Sequence, residues 1–465
     1  MNYRQALDYV LSFADFERSS SPRVRYRDFN LERVADLLER LGNPQRSFAS
    51  VHIAGTKGKG STSAMTAAIL QAAGFRTGLY TSPHLHTMRE RIAIDGLPIS
   101  EAQFAAAADA IAPAVAEVNA HDRFGQLTTF ELLTAMAFVA FRDLGVTHAI
   151  LEVGLGGRLD ATNVVQPEAV AITNISLDHT EVLGSTLGHI AGEKAAIIKR
   201  GIPVVSGPQQ PEALTVIERV AHKHEAPLTL VGRDVTWEEG ERVKGQGLRV
   251  KGRGLGEEGG QRVVVRTAQR TYDIWCPLLG AYQRENIATA IALAERLVER
   301  GVRIEPQHVI EGLAKVSWPC RLEIIAESPL IVVDGAHNPY SISRLREAVA
   351  EVFPRKRVIM ILGVTKTKDL GGMLDEAKGI AGVLLATRSR HPKAVPPEIV
   401  AVEAASRGIR HEAAGSPAEA LARARALSGP DDVILATGSL FVAAEVREIV
   451  KGIAPEVYTT GAVTV

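Results

Sequence analysis

Cysteine is almost missing from this chain. Cys276 and Cys320 are the only two in 465 residues, too few for a disulfide framework and in keeping with a reducing compartment, so a cytoplasmic protein is expected. An excess of charge is missing as well. Lys and Arg number 53, as do Asp and Glu, so no overall field recruits nucleic acid or an anionic membrane. Specificity then has to come from local pockets that take small molecules. No run of about 18 apolar residues occurs, and the opening Met-Asn-Tyr-Arg-Gln-Ala-Leu-Asp lacks a basic stretch leading into an apolar one. Neither a membrane span nor a secretory leader is expected. No internal repeat or low-complexity tail stands out. The length exceeds one compact core, and two domains are expected.

What is present is organised around Val51 to Ser63, Val-His-Ile-Ala-Gly-Thr-Lys-Gly-Lys-Gly-Ser-Thr-Ser. A short apolar strand runs into a turn holding Gly55, Gly58 and Gly60, and then into a Ser/Thr helix start. Glycines let the backbone fold close around a polyphosphate and aim successive N–H groups at it, while the helix N-terminus adds partial positive charge. Lys59 supplies the mobile cation. The spacing departs from G-x-x-x-x-G-K-[ST], because Gly60 separates the lysine from Ser61. A plain Gly/Lys-rich surface turn is the competing reading; the strand before and the amphipathic helix after (Met65, Ala68, Ile69, Ala72) favour a phosphate-binding loop.

The rest of the chain reads as α/β. Residues 1–47 carry a helical stripe, Leu31, Val34, Leu37, Leu38 and Leu41, stopped by Gly42-Asn43-Pro44. A strand at Gly78–Thr81 is followed by Ser82-Pro83-His84-Leu85, placing Ser82 at a strand's carboxyl end, where open α/β sheets face ligands. Helical patterns follow at 101–119 and Leu127–Phe141, the latter around Phe130 and Glu131. The buried-strand run Thr147–Val153 ends near Glu152 and leads into Gly154–Asn163, and Val170–Ile175 delivers Asp178 and His179. A carboxylate at such an edge can hold Mg²⁺ beside a triphosphate. A lone histidine is more often structural, but Glu152, His179 and Ser82 all follow strands that should share one edge. Ile190–Lys199 reads as a helix with Lys194 in its middle. Thr229–Leu278, with Val263–Val265, Tyr272–Trp275 and the glycine-rich turn Gly252–Gly260, reads as a small antiparallel region. Ala281–Arg300 is a helix with Asn286 near its start, and Lys315–Arg321 is a Pro-marked connector. Beyond it, strands at Leu330–Val333, Val358–Leu362, Val383–Thr387 and Val433–Ala436 alternate with helices near 341–352 and 417–427, a second parallel-sheet domain. Ser416, Pro417 and Glu419 form a capping box. Asp334-Gly335-Ala336-His337-Asn338-Pro339 and Thr437-Gly438-Ser439 end strands of that sheet.

In their order, Ala54–Ser61, Ser82–Leu85, Leu151–Asn163, Ile172–Leu183, Glu193–Lys199, Trp318–Glu323 and Asp334–Pro339 resemble the folylpolyglutamate synthase/dihydrofolate synthase family of the ATP-dependent Mur ligase superfamily. The likeness spans nearly the whole chain. It implies an N-terminal P-loop ATPase domain over 1–314, a linker at 315–321, a Rossmann-like domain over 322–465, and a site in the cleft between them. It implies that Lys59 and the loop Gly55, Thr56, Gly58, Gly60, Ser61 and Thr62 hold the ATP phosphates. Ser82 and Glu152 would then ligate a first Mg²⁺ and His179 a second. Lys194 matches the family's carbamylated lysine; an ammonium beside two Mg²⁺ ions would be repelled, whereas a carbamate offers oxygens to a hard cation. By the same likeness Asn286 and Arg321 contact nucleotide, and Asp334 with His337 clasps ribose and phosphates. Phe130, Asp160 and Ala161 would take the pterin, and Ser439 the incoming glutamate. Lys59, Lys194 and His337 carry the catalytic roles. Two departures stand out: Lys57 where many members have Asn, and Cys320 where Gly is common, neither expected to touch a proposed ligand atom.

The implied reaction is amide formation from a folate or dihydropteroate carboxylate and L-glutamate through an acyl phosphate, by a monomer. Another Mur-type amide ligase and a P-loop switch or transport ATPase are the alternatives. The first should carry a front domain that roughly 50 residues cannot hold, and the second would lack Lys194 and the Asp334/His337 pair.

Overall fold

The computed structural model describes residues 1–15, 30–121, 123–240, 259–456 and 458. Most of the glycine-rich turn expected at Gly252–Gly260 lies outside them. One sheet contains β1 (Ala49–Ala54), β2 (Thr77–Tyr80), β3 (Ile92–Ile94), β4 (Leu97–Pro98), β5 (His148–Glu152), β6 (Ala169–Ile172), β7 (Val204–Ser206) and β8 (Leu228–Leu230), in the order β4-β3-β2-β5-β1-β6-β7-β8. From β2 to β8 all neighbours are parallel, and β3 and β4 close one edge antiparallel.

The central strands are buried on both faces, as parallel strands under helices must be. Their side chains alternate between two cores. Leu79, Ile53 and Ile150 face the phosphate-loop helix Lys59–Ala72 with Ala281–Glu299 and Pro306–Lys315. Tyr80, Ala149 and Leu151 face Tyr3–Leu11, Leu31–Arg40, Glu101–His121 and Thr129–Asp143. The Gly42-Asn43 stop acts through left-handed backbone at both residues, with the Asn43 N–H donating to the Leu38 carbonyl.

β9 (Thr236–Glu239), β10 (Gln261–Arg266) and β11 (Thr271–Cys276) form an antiparallel sheet. Thr229, assigned to this region from sequence, belongs instead to β8 in the parallel sheet, where it pairs with Val205. The second large sheet orders β12 (Glu323–Glu327), β13 (Leu330–Val333), β14 (Val358–Leu362), β15 (Ala381–Ala386), β16 (His411–Ala413) and β17 (Val433–Thr437) as β12-β13-β17-β14-β15-β16. Only β12 in it is antiparallel. Apolar clusters cover both of its faces.

Two local expectations need correction. The helix around Lys194 is Leu187–Ala195, so the lysine lies in its last turn. Ser416 Oγ accepts from the Glu419 N–H, but the Glu419 carboxylate reaches Gly415 N at 2.9 Å; this cap is one residue wider than the box.

Candidate active site

The phosphate loop leaves β1 at Ala54 and enters its helix at Lys59. Gly58 caps that helix at φ 91°, and a Cβ there would stand 2.3 Å from Asn286 Oδ1. A Cβ on Gly60 would strike the Trp318 ring at 2.8 Å. Both glycines are therefore required by close approach, and the loop is wedged between the start of the Ala281–Glu299 helix and the connector before β12. Ser61 and Thr62 are buried in the first turn of the loop helix, and Thr56 Oγ1 donates to the Ser176 carbonyl at 3.1 Å.

β2, β5 and β6 end beside this loop, as parallel neighbours of β1 or of one another must. Glu152 is buried; its Oε2 accepts from Ser82 N at 3.3 Å and its Oε1 lies 3.8 Å from Lys59 Nζ. Burial pushes the Glu152 carboxyl up, opposed by Lys59 and the Ser82 N–H. Phe130 and Asp160 meet over Gly154, where a Cβ would lie 2.5 Å from the ring and 3.3 Å from Asp160 Oδ2. Asp160 accepts from Leu155 N at 2.9 Å and from Thr162 N at 3.0 Å, so part of its capacity already shapes the loop that Ala161 continues. Lys194 sits at the end of its helix with only 5% exposure. Burial, then the charge of Lys59, lowers its amine from 10.5 to about 7.

Among the described residues no three His, Cys, Asp or Glu side chains form a metal-binding group. Glu152 and Ser82 bring few protein donors, and His179, half-exposed and 3.9 Å from Asp178, lines the same cavity as Lys194. That fits Mg²⁺, which keeps several waters and binds phosphate oxygens, and does not fit a zinc or calcium cage.

The second sheet contributes from the other side. Asp334 follows β13 and accepts three hydrogen bonds: Oδ1 from Ala336 N at 2.8 Å, and Oδ2 from Leu322 N at 2.8 Å and Tyr282 OH at 3.3 Å. It therefore ties the connector to the strand end. Arg321 lies along this clasp, its Nη1 donating to the Cys320 carbonyl at 2.9 Å. Ser439 caps the helix Leu440–Lys451, its Oγ accepting from Val442 N at 3.2 Å. His337 donates from Nδ1 to the Gly335 carbonyl at 2.8 Å, which leaves Nε2 to accept from Lys57 Nζ at 2.8 Å.

Both departures touch residues of the proposed site: Lys57 meets His337, and the Cys320 carbonyl meets Arg321. Sequence reading also missed what gathers there. Asp178 accepts from Lys57 at 3.0 Å, Lys368 at 2.7 Å and Asn338 Nδ2 at 3.2 Å. Burial alone would raise Asp178, but the ammonium groups of Lys57 and Lys368 outweigh it and hold the carboxyl well below the carboxylate range. Lys368 lies in the turn after β14, so the strand-end rule that picked out Asp334 could have found it too.

The phosphate loop from Gly55 to Ser61, Glu152, Phe130, Asp160, Lys194, Asp334 and His337 line one cavity of about 1020 Å³ between the two large sheets, whereas Thr62 does not line it.

Sequence profiles match twice: the Mur ligase middle domain over residues 53–294 and the Mur ligase glutamate ligase domain over 320–440. The chain is 35% identical to the dihydrofolate synthase/folylpolyglutamate synthase of Bacillus subtilis over 90% of its own length and 95% of that protein's. It is also 35% identical to the folylpolyglutamate synthase of Lacticaseibacillus casei, over 97% and 99%. Among solved structures it resembles the Mycobacterium tuberculosis folylpolyglutamate synthase complexed with ADP (TM-score 0.86, 32% identity, 98% and 99% coverage). The Escherichia coli enzyme in complex with DHPP and ADP is similar too (TM-score 0.82, 28% identity, 97% and 98% coverage).

Proposed function

The chain belongs to the folylpolyglutamate synthase/dihydrofolate synthase family of Mur ligases, and we propose on that premise how its residues carry out the family's reaction. It is an ATP-dependent ligase that adds L-glutamate to a folate-type carboxylate. The observation that carries the reading is that one cavity joins a glycine-built phosphate loop, the Lys59/Glu152/Ser82 edge, the Phe130/Asp160 corner and the second lobe's Asp334/His337 turn.

In our reading the substrate carboxylate attacks the γ-phosphorus in line, phosphate transfers to give an acyl phosphate, and the glutamate amine displaces phosphate to form the amide. Lys59 and the Gly55–Thr62 N–H groups hold the β/γ-phosphates, Asn286 and Arg321 hold the nucleotide, and Asp334 and His337 close on it. Mg²⁺ held by Ser82 and Glu152, and a second ion by His179 and a carbamylated Lys194, would neutralise charge that keeps a carboxylate from a triphosphate. The lowered Lys194 amine supports that modification, since CO₂ adds only to a neutral amine. Phe130, Asp160 and Ala161 take the pterin edge, and Ser439 stands toward the incoming glutamate.

Residues 1–314 and 322–465 act as two domains joined by 315–321; the absence of a regular element between Lys315 and Glu323 supports this. Balanced charge supports the absence of nucleic-acid and membrane partners, two buried free thiols support a cytoplasmic location, and we read the protein as a monomer. Among the described residues no helix is long and apolar enough to cross a membrane.

The test is phosphate release by purified protein given dihydropteroate or tetrahydrofolate, with and without L-glutamate. Turnover that requires both the folate-type substrate and glutamate is expected; glutamate-independent hydrolysis would favour the switch or transport ATPase.

A further inference from the structure

After the helix Leu440–Lys451 the chain turns at Gly452, φ 67°, and crosses back to the first lobe. Its landing place is the segment 84–91, which begins just after Ser82. Glu456 N donates to the His86 carbonyl at 3.2 Å. The Glu456 carboxylate accepts from Met88 N at 2.9 Å, from Thr87 Oγ1 at 3.1 Å and from the Tyr3 hydroxyl. The last helix is stitched to the same segment. Arg447 Nη1 donates to His86 Nε2 at 2.9 Å, which leaves His86 Nδ1 to donate to Glu448 at 3.1 Å.

Two residues past Glu456, the Tyr458 hydroxyl lies 2.7 Å from His84 Nε2. Arg91 Nε donates to His84 Nδ1 at 3.0 Å, which puts the ring proton on Nε2 and aims it at the tyrosine oxygen. The Tyr458 ring packs against the apolar cluster that holds Met88, against which Phe130 also packs, and it lines the cavity that Phe130 lines. The chain therefore reaches back from the second lobe to add a second aromatic ring to the cavity that Phe130 lines.

We propose that this C-terminal segment is a strap, anchored by Glu456, whose Tyr458 is a specificity-determining residue for the flat aromatic part of the folate-type substrate. The proposal rests on the reading of the Phe130 corner as the folate side. An aromatic wall favours a planar heteroaromatic ring by contact area and ring geometry, and the His84–Arg91 pair fixes its orientation.

The test uses the full chain and the variants Tyr458→Ala, Tyr458→Phe and Glu456→Gln, with KM measured for dihydropteroate, tetrahydrofolate and ATP. Tyr458→Ala should raise KM for the accepted folate-type substrate about tenfold while KM for ATP stays within about twofold. Tyr458→Phe, which keeps the ring, should shift it by no more than about threefold, and Glu456→Gln, which loosens only the anchor, should move it in the same direction as Tyr458→Ala. An unchanged folate KM in Tyr458→Ala, or an equal rise for ATP, overturns the strap while leaving the ligase reading intact. A parent enzyme inactive on both folate-type substrates overturns the ligase reading and the strap's ligand with it.

Discussion

Lys59 and Lys194 show how position decides what a lysine does. Lys59 projects from the phosphate loop toward Glu152 and is no part of an apolar core. Lys59→Ala should therefore keep the parent melting temperature and lose about 10²–10³ in kcat, the scale of one preorganised charge stabiliser; near-normal kcat would remove the lysine from the phosphate site. Lys194 is buried, and its amine falls from 10.5 to about 7. The sign follows directly: above about pH 7 the amine is mostly neutral and can take up CO₂, and as pH falls through that value it becomes an ammonium and cannot. With bicarbonate present, a ¹³C carbamate signal should appear above neutrality and vanish toward pH 6, and Lys194→Ala should abolish both signal and turnover. Without bicarbonate, stability should rise between pH 7 and 10.5, because over that range the unfolded chain binds the extra proton. A carbamate signal that persists in Lys194→Ala would assign it elsewhere.

At the scale of elements, the phosphate-loop helix is fixed by an unusually close neighbour. Gly312, in the helix Pro306–Lys315, is buried, and a Cβ there would stand 2.6 Å from the Ala68 carbonyl. The neighbouring atoms are backbone and cannot swing aside. Gly312→Ala should therefore push the helices apart and cost about 1–3 kcal/mol, the range for overpacking, despite alanine's better helix propensity. Urea unfolding would measure the loss, and KM for ATP should rise because the same helix carries Lys59 at its start. A variant as stable as the parent would mean that the two helices are not in contact at this point.

For the whole molecule, Asp178 is one of the places where the two lobes are tied together. It is 9% exposed and meets Lys57 from its own lobe, and Lys368, His337 and Asn338 from the other. Removing one partner of a buried ionic group costs about 3–5 kcal/mol, since the remaining charges lose their counter-ion. Asp178→Asn should accordingly destabilise the protein by about 3 kcal/mol in denaturant titrations. Glu225→Gln, which breaks the exposed Arg200–Glu225 pair at 78% and 66% exposure, should cost no more than about 1 kcal/mol. Equal effects would show that the cluster does not hold the lobes.

The sequence by itself determined what contiguous residues can fix. The glycine loop with Lys59, the strand ends carrying Ser82, Glu152 and His179, and the α/β alternation are written locally, because backbone geometry at glycine and the period of apolar residues do not wait for distant partners. The helix end at Lys194 and the wider cap at Ser416 escaped it, since periodicity marks that a helix exists better than where it stops. Only the tertiary structure decided that Lys57 reaches His337, that Tyr282 donates to Asp334, and that Glu456 returns to Tyr3. Each of those contacts joins residues far apart in the chain, and each depends on how one lobe docks on the other, which no local pattern encodes.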